Sequence, residues 1–133
     1  MNKSVNLVFS ILLAIIMLTS CLSPKKSTEE ENALNSLIQI QNNLETDITY
    51  DEFAVLLRNA KPKVDSLKQS ENNNKCFISA VDKCYAAYEI ARKAWKRKME
   101  TDNVKTRQDM ETTFSFSVSL ATLNIAKANN CYN

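Results

Sequence analysis

Cysteine has the widest chemical range of any residue type in this chain, which contains Cys21, Cys76, Cys84 and Cys131. A thiolate can act as a nucleophile, bind a metal, form a disulfide or carry a lipid. The sequence contains no histidine, so neither a Cys-His nucleophile pair nor a histidine-containing zinc site can form. It also contains neither a Cys-x-x-Cys redox motif nor any glycine for a phosphate-binding loop. We therefore expect no metal, no cofactor and no familiar enzymatic activity.

Cys21 ends a pattern with a more specific chemistry. Lys3 precedes an apolar run over 7–18, and the sequence becomes polar after Cys21. The stretch Leu18-Thr19-Ser20-Cys21 resembles the lipobox of bacterial lipoproteins, and segment 1–20 resembles their signal peptides. This resemblance implies cleavage before Cys21, a diacylglyceryl thioether on its sulfur and an acyl chain on its new amino group.

A transmembrane anchor is the alternative interpretation of the apolar run. The run is about 12 residues long, whereas a spanning helix needs about 20. With lipidation, residues 21–133 would be held at the cell membrane or the outer membrane, facing the periplasm or the exterior. Leu22 follows Cys21 where aspartate would resemble an inner-membrane retention signal. This favours the outer membrane without deciding between the two.

The rest of the sequence predicts a short tether and one helical domain. Residues 21–28 form the lipidated cysteine and a flexible tether, and residues 29–133 form the domain. Apolar residues spaced three and four apart predict helices at 29–45, after Thr49, and between Cys76 and a polar loop at 101–106. The first helix should begin near Ser27 or Thr28. Thr28 with Glu31 and Thr49 with Glu52 have the spacing of capping boxes at the first two helix starts.

The last segment allows two interpretations. Residues 114–120 alternate apolar and serine, which is typical of a strand, yet Met110, Phe114, Ala121 and Ile125 also fit one helical face. We predict a fourth helix over 106–130, because a lone strand would have no partner. Its serines would form a ridge of small residues against a neighbouring helix. The predicted fold is all-α, an antiparallel up-down four-helix bundle behind a cleaved signal peptide and a short tether.

The antiparallel arrangement expected for the last two helices indicates which two cysteines form a disulfide. Cys76 and Cys84 lie about 12 Å apart along one helix, which exceeds the reach of a bridge of about 7 Å between Cα atoms. A turn centred within 101–106 places Cys76 opposite Cys131, and an exported location permits the bond. We predict the pair Cys76–Cys131. Cys84 is most simply a buried thiol, although a redox, metal-binding or intermolecular role stays open.

Three further groups have a functional and a structural interpretation. Tyr85, Tyr88 and Trp95 could line a ligand site, or they could be core residues on one helical face. A basic cluster could bind anionic headgroups or envelope polymers, or it could be a solvated helix end that complements the helix dipole. The members of this cluster are Lys93, Lys96, Arg97, Lys98, Lys105 and Arg107. The carboxylate pairs Asp47/Asp51 and Asp109/Glu111 have no evident catalytic partner.

Two stretches resemble uncharacterised exported helical proteins of cyanobacteria. They are Ile48-Thr49-Tyr50-Asp51-Glu52-Phe53 with Lys61 and Val64, and Tyr85-Ala86-Ala87-Tyr88 with Trp95 and Lys98. The resemblance covers about a third of the chain after Cys21. It implies a helical fold and no particular activity.

Composition and location together suggest a role. The chain has 17 Lys and Arg against 15 Asp and Glu, a net charge of +2, so it is not an obvious nucleic-acid binder. We expect a non-enzymatic helical module that is lipid-anchored to a membrane and contacts an envelope protein or polymer. A small binding or inhibitory module for a soluble ligand is the alternative. The sequence identifies neither the partner nor the oligomeric state.

Overall fold

A computed structural model describes residues 26–70 and 74–132. These residues form the helices α1 (Thr28–Leu44), α2 (Tyr50–Gln69), α3 (Lys75–Glu100) and α4 (Val104–Asn130). The predicted all-α fold is confirmed, and residues 114–120 are helical. The signal peptide, Cys21 and most of the predicted tether lie outside the described residues.

The beginning of α1 corrects one detail of the prediction. Ser27, and not Thr28, is the N-cap, and its side chain accepts a hydrogen bond from the Glu30 amide. The Glu30 carboxylate in turn accepts from the Ser27 amide at 2.8 Å. Both Ser27/Glu30 and Thr28/Glu31 have the capping-box spacing. Spacing alone therefore does not decide which pair caps α1, and contacts with other helices contribute. One such contact is the hydrogen bond that Lys26 donates to the side chain of Asn129 at 2.8 Å.

The other helix starts follow ordinary capping chemistry. Thr49 and Glu52 form the predicted capping box of α2. The loop before α4 covers only residues 101–103, shorter than the predicted 101–106, because the Asn103 side chain accepts from the Thr106 amide at 2.9 Å. This cap brings residues 104–106 into the helix.

Each of the four helices runs antiparallel to the next one along the chain, as the contacts between their ends show. In each consecutive pair, the start of the first helix meets the end of the second: Glu29 beside Ser66, Tyr50 against Trp95, and Cys76 bonded to Cys131. The contact between Lys26 and Asn129 closes the ring by placing the chain entering α1 at the end of α4. This is an up-down bundle, in which α1 neighbours α2 and α4.

The core is built from the apolar stripes that the sequence displays. Phe53, Leu57, Phe77 and Tyr88 are among the largest fully buried side chains. On α4 the buried positions are mostly small: Ser117, Ala121, Asn124, Ile125 and Ala128. Alanines of α3 are buried as well, and α3 and α4 form the most closely packed helix pair.

The predicted ridge of serines on α4 is mostly wrong. Ser117 is buried, whereas Ser115 and Ser119 are exposed. The small-residue face comes from positions three and four apart, namely Ser117, Ala121 and Asn124, because a helix repeats at that spacing and not at every second residue.

Candidate interaction surface

The three aromatic residues that could have lined a ligand site do not share a surface. Tyr88 is fully buried and packs edge-on against Phe53, with ring centroids 6.2 Å apart. Trp95 is half-buried and lies 5.8 Å from Phe53 in a stacked arrangement. Tyr85 is half-buried and donates its hydroxyl proton to Glu89 at 3.2 Å. Burial, with the nearby Glu89 carboxylate, raises the pKa of Tyr85 to about 12.

Tyr85 and Trp95 instead line two separate clefts. A cleft of about 300 Å³ lies at the end of the bundle that carries the α3–α4 loop. Its lining residues are Leu44, Asp47, Ile48, Trp95, Lys98, Glu111 and Phe114. A second cleft of about 280 Å³ between α2 and α3 contains Tyr85, Glu89 and Arg92. The first cleft holds an ion pair between Lys98 and Glu111, so two of its three charged side chains already have partners.

The predicted basic cluster is divided by the structure. Lys96 pairs with Glu100 at 3.6 Å, and Lys98 pairs with Glu111. Arg107 donates to the backbone carbonyl of Thr101 at 3.0 Å. The other three members, Lys93, Arg97 and Lys105, are exposed.

An exposed apolar surface lies on the outer side of α4, and the sequence analysis did not identify it. Phe116 and Leu123 each expose 67–68% of their surface, and Leu120 exposes 37%. These residues are four and three positions apart, so they form one stripe along the helix. The alternation of apolar residues and serines at 114–120 is the sequence pattern that indicates this surface. Phe114 and Val118 pack against the core, whereas Phe116 and Leu120 lie on the opposite face.

A residue of α3 extends this stripe. The Cys76–Cys131 bond and the Lys98–Glu111 ion pair fix the antiparallel register, which places Ile90 level with residue 118. Ile90 is 48% exposed and belongs to the helix face opposite the buried positions Tyr88 and Ala91. We define the hairpin face as Ile90, Phe116, Leu120 and Leu123. A grouped set of exposed apolar residues is typical of a binding surface.

The cysteines of the described residues adopt the predicted arrangement. Cys76 and Cys131 form a disulfide, with Cα atoms 5.7 Å apart. Cys84 is a free, buried thiol, and burial raises its pKa to about 12. A thiol in this environment is almost entirely protonated at neutral pH, which makes it a poor nucleophile.

The described ranges contain neither a metal-binding cluster nor a membrane-spanning helix. Within 26–70 and 74–132, no three side chains of His, Cys, Asp or Glu are grouped as metal ligands. None of the helices in those ranges has the length and apolar character needed to cross a bilayer.

The chain matches no family model, no curated protein and no solved structure.

Proposed function

We propose that this protein is a lipid-anchored extracytoplasmic lipoprotein whose helical domain contacts another component of the cell envelope. The observation that carries the proposal is the sequence Leu18-Thr19-Ser20-Cys21 after a charged and then apolar leader. In this proposal Cys21 carries a diacylglycerol and an amide-linked acyl chain, and segment 1–20 is removed. The membrane is the cell membrane or the outer membrane.

The disulfide supports an exported location. Disulfides persist outside the reducing cytosol, and Cys76–Cys131 joins the start of α3 to the end of α4 across 55 positions of sequence. An oxidising compartment would stabilise the fold by this bond, whereas a reducing one would not.

The position of Lys26 in the bundle supports tethering. Lys26 lies at the disulfide end of the bundle, where its ammonium is 5.5 Å from the ring centroid of Tyr132 and 5.9 Å from that of Phe77. Five residues, 21–25, separate it from the end of the leader. A membrane anchor at Cys21 would therefore keep the domain close to the bilayer and raise its effective concentration for any partner on that surface.

The hairpin face is the proposed contact surface, and the proposed role is non-enzymatic. Phe116 and Leu123 are the most exposed large apolar side chains of the face. An apolar surface of this kind is stabilised when a partner removes it from water, at about 25 cal/mol for each Å² buried.

A soluble-ligand module is the second candidate, and one observation favours it. The cleft at the α3–α4 loop, with a volume of about 300 Å³, presents Trp95 and Phe114 beside charged groups. Its volume is at the lower end of the range for small-molecule sites, about 300–1,000 Å³. Saturable binding of a small aromatic or aliphatic ligand that quenches the fluorescence of Trp95 would favour this candidate.

The anchor is tested with Cys21→Ala expressed in a bacterial host and compared with Cys84→Ala as a matched cysteine control. The wild type and the control should be labelled by a clickable palmitate analogue and partition with membranes. The Cys21→Ala variant should lose the label and retain the leader, because the modification that precedes cleavage needs the sulfur. Mass spectrometry of the processed protein gives the direct measurement. A bare thiol at Cys21 in the wild type, or unchanged labelling of Cys21→Ala, would refute the anchor.

A further inference from the structure

We infer that the hairpin face binds the surface of an anionic lipid bilayer, with its apolar side chains entering the interface and a surrounding set of cations meeting the phosphates. The inference deepens the proposed function by naming the partner of the hairpin face. Its physical basis does not depend on acylation of Cys21, so the two can fail separately.

The apolar part of this surface has the shape of a monotopic contact. Phe116, Leu120 and Leu123 form one stripe on α4, and Ile90 lies beside it on α3. The two helices are antiparallel and closely packed, so exposed side chains of both helices can share one face. Side chains in this arrangement can enter the interfacial region of a bilayer together, without any helix crossing it.

The charges around the face are almost all positive. Five exposed cations belong to the outer side of α3 and α4: Lys83, Lys93, Arg97, Lys105 and Lys127. None of them is ion-paired with another residue of the described ranges. Helical spacing places Asp109 on the same side of α4.

Asp102 is exposed in the α3–α4 loop, and the remaining carboxylates of this hairpin are ion-paired. Asp82 pairs with Lys68 of α2, and Glu89 and Glu100 pair with cations of α3 itself. Glu111 pairs with Lys98. Within the described chain, α1 has three acidic residues in its first turn and no basic residue along its length. The bundle is therefore electrically asymmetric, because α1 is acidic whereas five exposed cations without an ion pair in the described ranges surround the hairpin face. Two further exposed cations, Arg58 and Lys63, lie on α2.

This asymmetry distinguishes an anionic surface from a second copy of the chain. Two hairpin faces packed against each other would bring like cations together, which is unfavourable because unpaired charges would be desolvated in contact. Each Lys or Arg near an anionic bilayer instead raises the affinity of the protein for that bilayer about fivefold. The apolar stripe and the basic surround thus favour the same partner.

The tether is long enough for the face and the anchor to use one bilayer. A fully extended chain spans at most about 3.6 Å per residue, so residues 21–25 reach at most about 18 Å. Lys26 lies beside Asn129, at the end of α4. The distance from Lys26 to the outer surface of α4 is then about one helix diameter, roughly 10 Å. The acyl chains can therefore enter the bilayer on which α4 lies.

The test uses a chain beginning at residue 21 with Cys21→Ser, which keeps every residue of the described bundle and its core but cannot be acylated on sulfur. Sedimentation with vesicles measures binding to equimolar phosphatidylglycerol and phosphatidylcholine, and to phosphatidylcholine alone. We expect binding to the anionic vesicles that weakens as salt is added, and much weaker binding to the neutral ones. Leu123→Glu should reduce binding to anionic vesicles about tenfold or more, because a charge replaces an exposed leucine that would enter the bilayer interface.

Matched controls separate this face from the rest of the surface. Val55 is 44% exposed on α2, so Val55→Glu adds the same charge elsewhere and should change binding much less. Lys127→Glu should weaken binding about fivefold or more, and Lys63→Glu on α2 should not. Circular dichroism confirms that each variant is folded.

Three outcomes would overturn the inference. They are no binding to anionic vesicles, equal losses for Leu123→Glu and Val55→Glu, and concentration-dependent dimerisation that Leu123→Glu abolishes in the absence of lipid. If acylation of Cys21 is found and the vesicles are not bound, the anchor stands and this inference fails. If the vesicles are bound and Cys21 is not acylated, this inference stands and the anchor fails.

Discussion

Removal of the Cys76–Cys131 bond tests whether the hairpin of α3 and α4 depends on a covalent link at its open end. The two residues are 55 positions apart in sequence. In the chain-entropy treatment, a loop of this length stabilises the folded state by about 4 kcal/mol at 25 °C, because it restricts the unfolded chain. For a domain of about 100 residues, this corresponds to a fall in Tm of roughly 20 °C.

The cleanest variant is Cys76→Ser/Cys131→Ser, because a single substitution would leave an unpaired thiol at the other position. Serine preserves the local contact at this end, since Asn74 donates its hydrogen bond to the backbone carbonyl of residue 131 at 2.9 Å. Thermal and urea unfolding are followed by circular dichroism, with and without a phosphine reductant. Without reductant, the free energy of unfolding should fall by about 4 kcal/mol. With reductant, wild type and variant should agree within about 0.5 kcal/mol, since surface substitutions have effects of that size.

Cys84→Ala provides the control for the loss of a thiol. It retains the bond, so reductant should lower its Tm by as much as it lowers that of the wild type. An equal difference between wild type and the double serine variant in both conditions would refute the reasoning. The loss would then come from packing at residues 76 and 131 and not from the covalent loop.

Two further predictions concern buried polar groups. Burial raises the pKa of Cys84 to about 12, whereas the thiol of the unfolded chain titrates near about 8.5. Above that pH the unfolded state therefore binds fewer protons than the folded state. The free energy of unfolding should fall by about 1–2 kcal/mol between pH 8 and pH 10. Cys84→Ala should flatten this slope in urea titrations, and an unchanged slope would contradict the assignment. The hydroxyl of Tyr88 is buried with no hydrogen-bond partner in the described ranges, so Tyr88→Phe should raise the free energy of unfolding by about 1 kcal/mol. Tyr85→Phe, which loses a bond to Glu89, should not raise it, and a destabilised Tyr88→Phe would show that the hydroxyl is satisfied.

Much of the fold could be predicted because it depends on local patterns. The stripe through Phe77, Val81, Cys84 and Tyr88 is buried along its whole length. Thr49 caps α2 with Glu52 as its spacing indicates. Short connections make consecutive helices antiparallel, and this geometry sufficed to pair Cys76 with Cys131. The lipobox is also local, and acylation at Cys21 stays a prediction from sequence.

The candidate surface could not be predicted from the same patterns, because α4 has apolar residues on two faces. Burying Phe116, Leu120 and Leu123 would have been equally compatible with a helix. Packing decided against it, since Ser117 and Ala121 allow a close approach to α3 and larger side chains there would not. The division of the basic cluster has a similar origin, because Lys98 finds its partner Glu111 across the hairpin.

The sequence by itself determined which segments are helices, their order and direction, and the disulfide, since each follows from periodicity, caps and loop length along the chain. Only the tertiary structure decided how each helix is rotated about its own axis. That rotation left Phe116 and Leu123 facing outward. The choice of Ser27 over Thr28 as the first cap was also visible only in the structure. The physical reason is that rotation depends on the shapes of the neighbouring helices, and the pattern of one helix does not contain them.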